Sequence, residues 1–123
     1  MSLRSPILAL AVLLSATGLA SAQTGLKDSV VIRNSTSITI TYESQFNSGE
    51  WLKVVLRPGE TMSHFSNILN ATDPAPRVTM RFMDLVPFNE MRYTNVGTNV
   101  VNNPHNGPVY EFVIRDGRLY LVR

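Results

Sequence analysis

From residue 29 to the C-terminus, apolar and polar positions alternate with a period of two, and no ten-residue stretch carries helical spacing. The pattern is sharpest in residues 109–123, where two alternating runs flank Asp116-Gly117. An Asp-Gly pair supplies the positive φ angles that a type I′ hairpin turn requires. The register then follows: Arg115 faces Arg118, Ile114 faces Leu119, Val113 faces Tyr120 and Phe112 faces Leu121. One face collects Phe112, Ile114, Leu119, Leu121 and Tyr110, and the other Glu111, Val113, Arg115, Arg118, Tyr120 and Val122. A slip of one residue would scramble both faces, so turn chemistry and pattern agree. Because Val113, Tyr120 and Val122 are apolar, the hairpin is expected to be covered on both sides, with Asp116 or Glu111 offsetting the opposed arginines.

Upstream, Val30 and Ile32 alternate with Val31 and Arg33; after a polar turn, Ile38, Ile40 and Tyr42 alternate with Thr39, Thr41 and Glu43. A three-residue loop would set Ile32 against Ile40, whereas a two-residue loop would mix the faces. The two strands therefore share an odd loop or lie in different sheets. Residues 45–50 read as a turn, and 51–56 as a strand with Leu52, Val54 and Leu56 on one face and Trp51, Lys53 and Val55 on the other. Arg57-Pro58-Gly59-Glu60 has the Pro and Gly positions of a type II turn. Residues 61–66 form a short strand with Met62 and His64 on one face and Phe65 on the other. A polar loop follows, then a strand with Val78, Met80 and Phe82 opposed to Arg77, Thr79, Arg81 and Met83. Residues 90–94 set Met91 and Tyr93 against Arg92, and 95–108 are loop-like with a brief strand at Val100-Val101.

About eight short strands at spacings of roughly 8–12 residues predict an all-β fold, a small antiparallel β-sandwich or barrel-like sandwich. It is preceded by a leader. Arg4, the apolar run of residues 7–14 and Ala20-Ser21-Ala22 have the n-, h- and c-regions of a secretory signal peptide, too short to span a bilayer. Residues 1–22 are thus expected to be cleaved, leaving 23–123 as a single domain, exported by a Sec-type route to the periplasm or outside the cell. No membrane span is expected in the mature chain.

Charge and composition narrow the partners. Of 11 basic side chains, Arg4 leaves with the leader, so ten oppose nine acids. That near-balance gives no field for nucleic acid. There is no cysteine, so the core must stabilise an exported domain without disulfides. The triplets Asn34-Ser35-Thr36 and Asn70-Ala71-Thr72 read as turn chemistry rather than glycan acceptors.

Catalysis finds no support in these residues. Only His64 and His105 could serve as base, no Gly-x-Ser-x-Gly elbow is present, and the acids are scattered singly, so an enzyme is not expected. No cofactor is implied. Met62 and His64, two apart on a strand, share a face and could hold Cu(I) with Met91 or His105; the same residues also serve as ordinary core filler. An exposed Trp51 with Tyr42 or Tyr93, rimmed by loop amides such as Asn47 and Asn103, would make a glycan platform. Arg33, Arg81, Arg92 and Arg115 each lie opposite the apolar residues of their strand and would form a basic stripe were those strands neighbours. The expectation is a non-catalytic binding or structural module of the cell envelope or exterior. Its contact is either a glycan at Trp51 or an envelope protein at an arginine-rich sheet face or edge.

Overall fold

The computed structural model of the chain describes residues 25–123; the expected leader lies outside the described residues. Among the described residues nine strands follow one another: β1 (Lys27–Asn34), β2 (Ile40–Phe46), β3 (Leu52–Leu56), β4 (Thr61–Asn67), β5 (Val78–Met83), β6 (Met91–Val96), β7 (Asn99–Val101), β8 (Val109–Arg115) and β9 (Arg118–Val122). A single 3-10 turn, Pro104–Asn106, separates β7 from β8. No described helix is long and apolar enough to cross a membrane.

The strands form two sheets. The first has the order β9-β8-β1-β4, with β7 also paired to β1; the second has the order β3-β2-β5-β6. The terminal hairpin has the expected register, from Arg118 opposite Arg115 to Leu121 opposite Phe112, and both Asp116 (φ 52°) and Gly117 (φ 74°) take positive φ in its turn. Strands β1 and β2 fall in different sheets, so the parity of their loop sets no pairing. Between Arg57 and Glu60 the expected turn is closed by Glu60 N–H donating to Arg57 O at 3.0 Å, with Gly59 at φ 83°.

One pairing departs from an antiparallel fold. β8 runs parallel to β1, Val31 beside Val109 through Asn34 beside Phe112, whereas β7 runs antiparallel to the first residues of β1. Because β4 holds the other edge of β1, β7 and β8 lie in line along one edge, and the chain doubles back along β1 between them. Residues 102–108 make this reversal and lie over its outer face. Hence β1 is buried on both faces: Val30 and Ile32 point to the core, while Ser29 and Val31 are covered from outside.

The inner faces of both sheets meet in one core. Val30, Ile32, Phe112, Leu119 and Leu121 come from the first sheet, and Ile40, Tyr42, Val54, Leu56, Val78, Met80, Phe82 and Val96 from the second. Phe112 sits at the centre, its ring 5.3 Å from Tyr42 and 5.1 Å from Phe82, the latter edge-to-face. Each fully buried side chain of this size contributes about 1.5–3 kcal/mol over its exposed state. The crossover from β1 to β2 is held by Asn34, whose Nδ2 donates to Ile38 O and Leu56 O and whose Oδ1 accepts from the Thr36 N–H and hydroxyl. Asn34 is therefore a buried turn residue, and Asn70 likewise closes a turn with Asp73.

Candidate functional site

Alternation leaves the odd-numbered residues of β2, β3, β5 and β6 on the outer face of the second sheet, and the strand register arranges them in rows. The middle row is Lys53–Glu43–Arg81–Tyr93. One row away lie Gln45, Thr79 and Asn95, with Trp51 next to Gln45 by continuation of the β2–β3 register. On the other side lie Val55, Thr41, Met83 and Met91. Val55, Met83, Met91 and Tyr93 are exposed, Tyr93 at 61%.

The centre of this face is ordered by one ion pair and two aromatic rings. Arg81 Nε donates to Glu43 Oε1 at 2.7 Å, with 25% and 31% of the two side chains exposed. The guanidinium lies 3.9 Å from the centroid of the Trp51 ring, and Trp51 meets Tyr93 edge-to-face at 6.3 Å. The Glu43 hydrogen bond raises the Arg81 pKa further, so its charge is fixed at any physiological pH. Thr79 Oγ1 donates to Asn95 Oδ1 at 3.0 Å in the adjacent row.

Over β1, by contrast, the first sheet has no free outer face. The Ser29 hydroxyl donates to Pro104 O, and Val31 N–H donates to Pro108 O at 2.8 Å. Gly107 lies so close that a Cβ there would sit 2.6 Å from Ser29 O. The strap reaches β4 as well, where Ser63 Oγ and His105 Nδ1 are 2.8 Å apart. That is the separation of a nucleophile and its base. No described carboxylate hydrogen-bonds the His105 ring, however, so the third member of a triad is missing.

Two buried polar clusters join the sheets. His64 projects inward from β4; its Nε2 is 2.7 Å from the Tyr42 hydroxyl and its Nδ1 3.3 Å from Ser44 Oγ, both on β2. Burial holds the imidazole pKa down to about 4 and pushes the Tyr42 phenol up, so both are neutral near pH 7. At the other edge Asp84, whose side chain has 0% exposure, accepts from Leu119 N–H, Leu85 N–H, Arg118 Nε and Arg92 Nη1 at 2.8–3.3 Å. Burial alone would raise its carboxyl, but these hydrogen bonds outweigh burial and hold it well below the usual carboxylate range. Arg118 also donates to Glu90 Oε1 at 2.6 Å, so Asp84 and Glu90, rather than Asp116 or Glu111, offset the opposed arginines of the terminal hairpin. Glu111 instead accepts from Ser35 and lies 3.9 Å from Arg33.

The structure redistributes the residues expected to bind. Trp51 and Tyr93 come together. Tyr42 does not join them: it points into the core with 1% exposure, because it shares a face with Ile40. Asn47 takes φ 55° in the β2–β3 turn and accepts from Arg77 N–H, while Asn103 caps the 3-10 turn beside the first sheet, so neither rims the Trp51 face. The arginine stripe is dispersed. Arg33 and Arg115 stand on the first sheet and Arg81 on the second; Arg92 turns inward opposite the core residue Phe82 to reach Asp84. Met62 and His64 do not form a metal site with His105 or Met91. Both His64 nitrogens are taken, His105 pairs with Ser63 on the opposite side of β4, and Met91 lies on the outer face of the second sheet. No group of three His, Asp or Glu side chains among the described residues could hold a metal.

Asp84 is the functional-looking residue that sequence reasoning missed, since a lone acid after a strand carries no periodic signal. Comparison of the chain with protein-family models, curated proteins and solved structures returns no match.

Proposed function

We propose that the protein is a small exported, non-catalytic β-sandwich that works as a protein-interaction module, and that its contact surface is the open outer face of the second sheet. The observation that carries this reading is the exposure of Val55, Met83, Met91 and Tyr93 on one sheet face beside the stacked Trp51 and Arg81. Trp, Tyr, Met and Arg side chains gathered on one open face match the composition of protein contact surfaces, where these types are enriched. The non-catalytic reading is supported by the engagement of His64 in the core and the lack of an orienting acid at His105.

A glycan platform at Trp51 is the second reading, favoured by the meeting of Trp51 and Tyr93. It ranks lower because Arg81 covers one indole face and because Tyr42, Asn47 and Asn103 lie elsewhere.

A photo-cross-linking residue in place of Tyr93, with one in place of Asn70 as control, tests the reading in extracts of the source cell. A discrete protein adduct from position 93 and none from position 70 is expected. Absence of any protein adduct at 93, together with retention on polysaccharide that Trp51→Ala abolishes, would replace the protein reading with the glycan one.

A further inference from the structure

We infer that the open edge of β4 is a further contact, which takes up an extended segment of another protein as an added strand. It stands apart from the outer face of the second sheet and does not depend on it. The direction of the backbone groups carries the argument. On the β8 side of β1, Val31 N–H donates to Pro108 O; on the β4 side, Asn34 N–H donates to Glu60 O and Ile68 N–H to Leu26 O. Between those last two bonds the register sets Asp28 beside Ser66, Val30 beside His64 and Ile32 beside Met62. In an antiparallel ladder alternate residues turn their N–H and C=O to the same neighbour. The even-numbered residues of β4 therefore bond to β1, and Thr61, Ser63, Phe65 and Asn67 turn theirs to the other side. No described strand pairs with β4 there.

A free edge is ordinarily blunted by charge, by proline or by shortness. The other edges of this molecule are. β9 carries Arg118, β3 carries Lys53 and runs into Arg57-Pro58, β6 turns Arg92 inward to Asp84, and β7 has three residues. β4 runs for seven residues, Thr-Met-Ser-His-Phe-Ser-Asn, with no lysine, arginine, acid or proline among them. Its Met62 and Phe65 are exposed on opposite faces.

The sandwich also leaves a gap beside this edge. Leu52 belongs to the inward set of β3 with Val54 and Leu56, yet it is 60% exposed where they are 5% and 3%. It pairs with the buried Ser44 of β2, and Ser44 Oγ lies 3.3 Å from Nδ1 of His64 on β4. At this level β4 packs over β2, and it is the last strand of its sheet, so nothing of the first sheet covers β3. A strand added outside β4 satisfies the outward backbone row and lays alternate side chains over Leu52 and Met62. One occupant removes both deficits. Backbone donors and acceptors at strand spacing select an extended polypeptide over a glycan or a lipid. The inward residues of that segment are apolar, to meet Leu52 and Met62. Its outward residue opposite Phe65 is aromatic or β-branched, the kind of pair that stabilises neighbouring strands.

Selection on the immobilised chain lacking its leader tests the edge. The probe is a pool of peptides of about nine residues, with Val, Leu or Phe at alternate positions and Thr or Lys between. Recovered peptides are expected to slow amide exchange at Thr61, Ser63, Phe65 and Asn67. Exchange at Met62, His64 and Ser66, already bonded to β1, is expected to stay as it is. Leu52→Lys and Phe65→Pro should each weaken peptide binding about tenfold. The first charges the gap, and the second removes one outward N–H and spares the ladder to β1. Val86→Ser, at an exposed apolar residue of the β5–β6 loop, should bind as wild type does. Circular dichroism verifies that each variant is folded; if Phe65→Pro fails to fold, Met62→Lys takes its place with the same expected loss. Failure to recover any peptide, or binding that survives both substitutions, overturns the inference. So does self-association of the chain that Met62→Lys abolishes while no peptide is recovered, which assigns the edge to a second copy. Binding lost in Tyr93→Ala but kept in Leu52→Lys puts the peptides on the outer face of the second sheet, and then only the β4 edge is removed.

Discussion

The outer faces of the two sheets differ in how much of their surface the fold itself uses. Over β1 the first sheet is closed by residues 102–108, which bury Ser29 and Val31 and leave no room for even one added carbon at Gly107. The second sheet carries no such strap: its outer rows hold an ordered ion pair, a stacked indole and four exposed apolar side chains. β7 and β8 lie along the same edge of β1 in opposite directions, and the chain doubles back between them over the outer face of that strand. No such connection covers β2 and β5. What is exposed there is consequently available for contact, and the polar clusters that hold the sheets together lie inside, away from it.

With the faces so divided, the largest stability effects come from the joints between the sheets. Asp84→Asn keeps the shape but removes the charge that two arginines share and turns an amide toward their donors. We expect Tm to fall by roughly 15 °C, the scale of a broken buried charge network in a domain of this size. The sign with pH is fixed by the depressed folded pKa. The advantage of wild type over the variant is fully present above the ordinary carboxylate pKa and shrinks as pH falls below it, a trend that calorimetry at pH 7 and pH 3 reads out.

His64 gives the next effect. Its imidazole titrates near 6.5 in the unfolded chain but near 4 when folded, so the unfolded state binds the extra proton across that interval. Stability is therefore lost as pH drops from about 6.5 to about 4, by roughly 3 kcal/mol in total. Urea unfolding of His64→Gln should show a markedly flatter pH dependence over the same range; an unchanged slope would place the titration elsewhere.

These two clusters mark where sequence reasoning stopped. The register of the terminal hairpin, the type II turn and the inward set Val78, Met80 and Phe82 are legible because period and turn chemistry agree at each. The outward placement of Trp51 is legible for the same reason, by alternation with Val54 and Leu56. Strand β6 misleads: its apolar residues Met91 and Tyr93 face outward and Arg92 faces inward. Hydrophobicity cannot reveal this, because the inward arginine is specified by a buried carboxylate from another strand end. Tyr42 misleads in the opposite sense, since an aromatic near Trp51 in sequence invites a shared platform although its own alternation assigns it to the core. The parallel pairing of β1 with β8 has no local signal at all.

The strap itself can be broken at one atom. Gly107→Ala forces a Cβ against the Ser29 carbonyl, which is backbone and cannot swing aside. Overpacking of this kind costs about 2 kcal/mol and should speed hydrogen exchange in residues 102–108 and at Val31. Gly97→Ala is the control, because its Cβ would find only the Tyr110 hydroxyl at 3.6 Å.

The smallest stability effect is expected on the open face, and its smallness is what makes it informative. Tyr93→Ala removes a ring that packs on Trp51 at one side and meets water on the other. A surface change away from core, cap or strap shifts stability by only about 0.5 kcal/mol, against the several-fold larger effect at Gly107. Chemical denaturation should therefore barely separate Tyr93→Ala from wild type, while capture of a partner protein by the open face should separate them clearly. A Tyr93 variant that unfolds as readily as Gly107→Ala would show that the second sheet uses its outer face for stability after all. The contrast between the two sheets would then be one of chain path alone, not of function.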